Sequence, residues 1–168
     1  AIASNRLLTG ALVALSLSSS LISGCTTTQQ VTSQTVTASD PSRWKQDPKE
    51  IAKIRTAIAA EYIRKNNLDD AKRQLESALQ SDPRSAAAYD MMGVLLQQEG
   101  SPINLQKAES HFQKAISLDP TFSQAHNNYG VYLAQMNRNQ EAIGQFQIAG
   151  AALGYEGRAS ALENLGRT

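Results

Sequence analysis

AESHFQKAISLDPTFSQAHNNYGVYL, residues 108–133, decides the fold of this chain. Ala108, Phe112 and Ala115 stand four and three residues apart, which puts them on one face of a helix. Asp119-Pro120 ends that helix, because proline has no N–H to give and its ring clashes with the preceding turn. A second helical face follows, with Tyr129-Gly130 and then Leu133. The same landmarks occur upstream as Ala71, Leu75, Ala78 and Pro83, and downstream as Ala142, Phe146 and Ala149, with Gly154 where the proline would fall. Ahead of each lies the other half of the unit: Ile58-Ala59 and Tyr62, Met92-Gly93 and Leu96, Tyr129-Gly130 and Leu133. A fourth start appears at Leu165-Gly166.

Small residues at 59, 93, 130, 71, 108 and 142 let paired helices lie close, and the large ones fill the space between pairs. One such hairpin cannot bury its own apolar face, so stability comes from stacking neighbours. The pattern resembles the tetratricopeptide repeat, a helix–turn–helix unit of about 34 residues. It implies an all-α solenoid of helical hairpins spanning 47–168, with repeats at about 52–85, 86–122 and 123–156 and a partial fourth at 157–168. The second repeat carries three extra residues, expected in its inter-helix turn at Gly100-Ser101-Pro102. Folding is expected to start at Asp47-Pro48-Lys49-Glu50, with Asp47 as cap, Pro48 at the first helical position and Glu50 completing a capping box. Trp44 is expected to pack on the first helix. The half-built last hairpin is expected to continue beyond Thr168 or to leave an edge that needs a partner.

The N-terminal region reads differently. Arg6 precedes an uncharged apolar run, residues 7–22, which is broken by Ser16 and Ser18–Ser20. A membrane span needs about 20 apolar residues, whereas a basic residue, a short apolar run and small residues at a cut mark a secretory signal. Leu21-Ile22-Ser23-Gly24-Cys25 resembles the lipobox of bacterial lipoproteins, which implies a signal peptide over 1–24 and acyl chains on Cys25. Thr26, rather than aspartate, follows the cysteine and by analogy sends the protein to the outer membrane, facing the periplasm. The n-region is expected to extend ahead of Ala1. Residues 25–46, rich in Thr, Ser and Gln, read as a flexible tether; about 17 such residues span roughly 20–25 Å.

The chain has 16 basic and 15 acidic residues, and Arg6 supplies the excess. That balance argues against nucleic-acid binding by bulk charge. Cys25 is the only cysteine, and the two histidines, His111 and His126, are separated. His126 is expected to pack and His111 to sit at a solvated helix edge. No HExxH, paired metal-ligand set or glycine-rich phosphate loop is present. The expectation is therefore a non-enzyme with no metal, no cofactor beyond the lipid on Cys25 and no small-molecule substrate.

A stack of such hairpins offers a groove lined by one face of each first helix. By repeat register that face carries Lys53, Thr56 and Ala60, then Asp90, Val94 and Gln97, then Gln124, Asn127 and Val131. It lacks the Lys/Arg and Asn set with which some tetratricopeptide domains clamp a C-terminal carboxylate. An extended or helical peptide, held by amide hydrogen bonds and apolar contacts, is the expected ligand.

The stretch 122–133, together with Gln140-Glu141-Ala142-Ile143 and residues 158–166 (RASALENLG), resembles the type IV pilus biogenesis and stability lipoproteins, the pilotin family of the pilus secretin. The resemblance implies an adaptor that binds secretin subunits and promotes their outer-membrane assembly, for pilus extrusion and twitching motility. Members of that family have up to six repeats, so the later ones would be missing here. Another envelope scaffold, serving outer-membrane protein assembly or peptidoglycan enzymes, stays open on the residues alone.

Overall fold

The computed structural model describes residues 47–168, which form seven helices. They are α1 (Pro48–Arg64), α2 (Leu68–Ser81), α3 (Ala86–Glu99), α4 (Pro102–Leu118), α5 (Ser123–Gln135), α6 (Asn139–Ala151) and α7 (Arg158–Arg167). Contacts are densest within α1/α2, α3/α4 and α5/α6, and α7 packs on α6. The proposed signal peptide, Cys25, the tether and Trp44 lie outside the described residues.

Each of the two later hairpins closes on an aromatic ring laid over a glycine. A Cβ on Gly93 would stand 2.7 Å from Phe112 Cε1, and one on Gly130 would stand 2.5 Å from Phe146 Cε1. The first hairpin uses the gentler pair Ala59 and Leu75, both fully buried. Phe112 also reaches the next hairpin, its ring centroid 6.0 Å from that of Tyr129 and 5.7 Å from that of Tyr132. Removing one such phenylalanine from water stabilises the fold by about 1.5–3 kcal/mol. The core is thus continuous through successive hairpins, as stacking demands.

Turns explain the rest of the path. Every first-to-second-helix turn holds one residue in the left-handed region: Asn66 (φ 57°), Gly100 (φ 71°) and Asn137 (φ 60°). Glycine and asparagine are the residues that enter this region most readily. At the returns, Asp82 Oδ1 accepts from Arg84 N at 3.0 Å and Asp119 Oδ1 from Thr121 N at 2.9 Å, fixing the Asp-Pro bends. Asp47 caps α1 by accepting from Lys49 N at 3.0 Å. Glu50 does not complete the capping box but faces Lys53, 3.8 Å away.

The three extra residues of the second repeat do not form a loop. Ala71 and Ala142 are the fourth residues of α2 and α6, whereas Ala108 is the seventh of α4. The insertion is an added first turn of α4, started by Pro102 at a position where its missing N–H costs nothing. Ser101 Oγ caps it by accepting from Asn104 N at 3.2 Å.

Candidate functional site

Counted from the repeat starts at 52, 86 and 123, position four of each repeat (Arg55, Tyr89 and His126) faces the second helix of its own hairpin. Arg55 Nη1 donates to Gln74 Oε1 at 3.1 Å, Tyr89 stacks on His111 at 5.8 Å, and His126 Nδ1 lies 2.7 Å from the Gln145 carboxamide. His126 is buried and its Nε2 donates to the Pro120 carbonyl at 2.9 Å, so its role is packing. His111 is not at a free edge: it is half-buried on Tyr89, and burial, then Lys107, lowers its pKa.

Position five faces the following first helix instead. Asp90 Oδ2 accepts from Asn128 Nδ2 at 2.9 Å, and Asn127 Oδ1 accepts from Asn164 Nδ2 at 3.3 Å. The two donors occupy equivalent places, Asn128-Tyr129-Gly130 and Asn164-Leu165-Gly166. A polar ladder therefore joins α3 to α5 and α5 to α7. It extends sideways, because Gln124 Nε2 donates to Asn128 Oδ1 at 2.9 Å and Tyr155 Oη donates to Gln124 Oε1 at 3.0 Å.

Beside the ladder runs a groove of about 470 Å³ between Val94, Gln97 and Gln98 of α3 and Asn128, Val131 and Gln135 of α5. Gln97 Nε2 donates to Gln135 Oε1 across it at 2.7 Å. Of the residues expected on the groove face, the structure brings Val94, Gln97 and Val131 together here. Asp90, Gln124 and Asn127 belong to the adjoining ladder. Lys53 is exposed, the Thr56 hydroxyl turns back to donate to the Ala52 carbonyl at 2.8 Å, and half-buried Ala60 does not line this groove. Asn128, Gln98 and Gln135 were missed by register alone. The recurring Asn-x-Gly of α5 and α7 is the signal that singles out Asn128.

Electrostatically the ladder is dominated by Asp90, which is fully buried. Burial pushes its carboxyl up to about 7, against the lowering effect of the Asn128 bond. Its Oδ1 has no hydrogen-bond partner. Tyr155 is raised by burial first and then by the Asp90 charge, so the phenol and the carboxylate sense one another. Away from the groove, Glu109 of α4 gathers Tyr129 Oη at 2.9 Å and Arg138 Nη1 at 2.5 Å, and Arg138 also pairs with Glu141 at 2.7 Å. That cluster staples the second hairpin to the third. Among the described residues no three His, Cys, Asp or Glu side chains gather as metal ligands would, and no helix is long and apolar enough to cross a membrane.

Paired helices, glycine seats and a groove along successive first helices define the class: the chain is an all-α tetratricopeptide-repeat solenoid. Tetratricopeptide-repeat family profiles match residues 56–100 and 111–144. The fold is similar to that of Pseudomonas aeruginosa PilF, with 29% identity and a TM-score of 0.67 over 73% of this chain and 54% of that one. It is similar also to PilW, described as a widely conserved type IV pilus biogenesis factor, with 30% identity and a TM-score of 0.64 over 70% of this chain and 53% of PilW. The chain thus spans about half the length of these two relatives. The TPR2B domain of yeast Sti1 shares the fold at 16% identity and a TM-score of 0.60, over 70% of this chain and 95% of that domain. No curated protein matches the sequence.

Proposed function

We propose that this protein is a lipid-anchored adaptor of type IV pilus biogenesis that holds a peptide segment of the pilus secretin and promotes secretin assembly in the outer membrane. The observation that carries the reading is the groove between α3 and α5. It presents two valines for side-chain packing and three glutamines for backbone pairing, on repeats about 30% identical to those of PilW. The lipobox-like run ending at Cys25 supplies the anchor in this reading, and the tether sets the reach. The domain acts by holding, not by catalysis.

The test is secretin capture. Val94→Glu combined with Val131→Glu buries a charge against any occupant without touching the glycine seats. The double variant should keep its helical circular dichroism, lose co-purification with the secretin and leave the secretin monomeric. Normal secretin multimers in that strain would sink the groove reading. Cys25→Ser should release folded protein from the outer membrane, since stable anchoring depends on the acyl chains; a variant that stays bound removes the anchor from the proposal.

A further inference from the structure

We propose that Asp90, buried in the ladder beside this groove, is an anionic seat reached from it and takes the side-chain cation, ammonium or guanidinium, of the segment lying between α3 and α5. The inference rests on the groove being a peptide site and adds what that peptide must carry.

Asp90 is fully buried, yet only one of its oxygens is used. Oδ2 accepts from Asn128, while Oδ1 has no partner. A buried acceptor left unpaired costs about 1–3 kcal/mol, and more when it is charged. None of the ion pairs among the described residues involves Asp90. The position is nevertheless linked to the groove from two sides. Asp90, Val94 and Gln97 follow at i, i+4 and i+7 on α3, so the carboxylate lies one turn from the groove wall. Asn128 of α5 both holds Asp90 and lines the groove.

The lining selects the visitor. Val94 and Val131 suit the methylene stem of lysine or arginine, which packs against apolar surface while its head seeks an anion. Gln97 Oε1, Gln98 Oε1 and Gln135 Nε2, which the Gln97–Gln135 and Gln98–Asn66 bonds do not use, can pair with the peptide backbone. A volume of about 470 Å³ accepts a side chain and its flanking backbone, given that one water occupies about 30 Å³. A carboxylate brought to the same place would meet like charge, and a neutral side chain would leave Oδ1 unpaired. Entry needs the Asn128 carboxamide to swing aside, a rotamer change of the kind common at interfaces.

The experiment titrates the whole chain with three synthetic heptapeptides, acetyl-Ala-Val-Gln-Xaa-Val-Gln-Ala-amide, in which Xaa is lysine, norleucine or glutamate. Binding is followed by NMR at the Val94 methyls and the Asn128 side-chain amide. The lysine peptide should bind at least about tenfold more tightly than the norleucine peptide, and the glutamate peptide more weakly than either. Asp90→Asn should bring lysine down to the norleucine level with an unchanged helical spectrum. Equal binding of the lysine and norleucine peptides, a lysine preference that survives in Asp90→Asn, or no response to millimolar lysine peptide would each overturn the seat. Secretin capture separates this from the groove reading. Capture lost in the Val94→Glu/Val131→Glu variant but normal in Asp90→Asn removes the cation seat alone, whereas normal capture in both removes the groove as well.

Discussion

Helix α3 serves two regions with opposite rules. On one face Gly93 accepts the ring of Phe112 so closely that no side chain fits between them. Just beside it, Asp90, Val94 and Gln97 meet α5 through hydrogen bonds and an open groove. The glycine seat is dry and set by shape, so it tolerates almost no change of volume. The groove is polar and its pairing is incomplete, so it tolerates new shapes and answers to charge. The proposed adaptor role would use both, a stack that does not yield and a surface that is not finished until something binds.

The largest effect should come from emptying a seat. Phe146→Ala removes a fully buried ring from Gly130 and should destabilise the domain by about 3–5 kcal/mol in urea unfolding. A loss below about 1 kcal/mol would break the contrast between a rigid seat and a tolerant groove.

Next is the charge buried beside the groove. The folded state holds the Asp90 proton more tightly than the unfolded chain does, with a pKa raised from 3.8 to about 7 by burial. Folding therefore favours the protonated form, and the stability this contributes is fully present below about pH 4 and lost as pH rises through about 7. Asp90→Asn should remove that decline and make the protein more stable than wild type at pH 8, by on the order of 4 kcal/mol. Superimposable melting profiles for the two proteins from pH 5 to pH 8 would refute it. Between these in kind, Gly130→Ala adds a single methyl where Phe146 leaves 2.5 Å, and overpacking of this sort costs about 1–3 kcal/mol. A melting temperature equal to wild type would place the helix register in doubt.

The residues of the seats were legible in the sequence because they are encoded by size at fixed spacing, but the reading put Phe112 and Phe146 between hairpins, whereas each ring lies over the glycine of its own hairpin. The turns were less so. Pro102 suits a loop and a helix start equally, so the sequence could not show that the extra residues lengthen α4. Register placed Asp90 and Asn127 on the groove face, whereas both are buried in the ladder, because their depth depends on Asn128 and Asn164, one repeat further along the chain. The stacking of His111 on Tyr89 was hidden for the same reason, since it depends on which side chain the partner helix presents there.

The smallest predicted effect has the opposite sign and isolates the cause of the others. Gly144 also lies in a helix interior, in α6 beside the residues that form the third hairpin's seat, but a Cβ there would meet nothing within 4 Å. No ring needs its absence, so glycine contributes only its cost to the helix, about 0.8–1 kcal/mol relative to alanine. Gly144→Ala should therefore stabilise the domain by up to about 1 kcal/mol, where the same substitution at Gly130 destabilises it. Measured together by urea unfolding, the two variants separate helix propensity from packing: equal signs would mean that the seat under Phe146 has slack, and opposite signs that the ring alone forbids a side chain at Gly130.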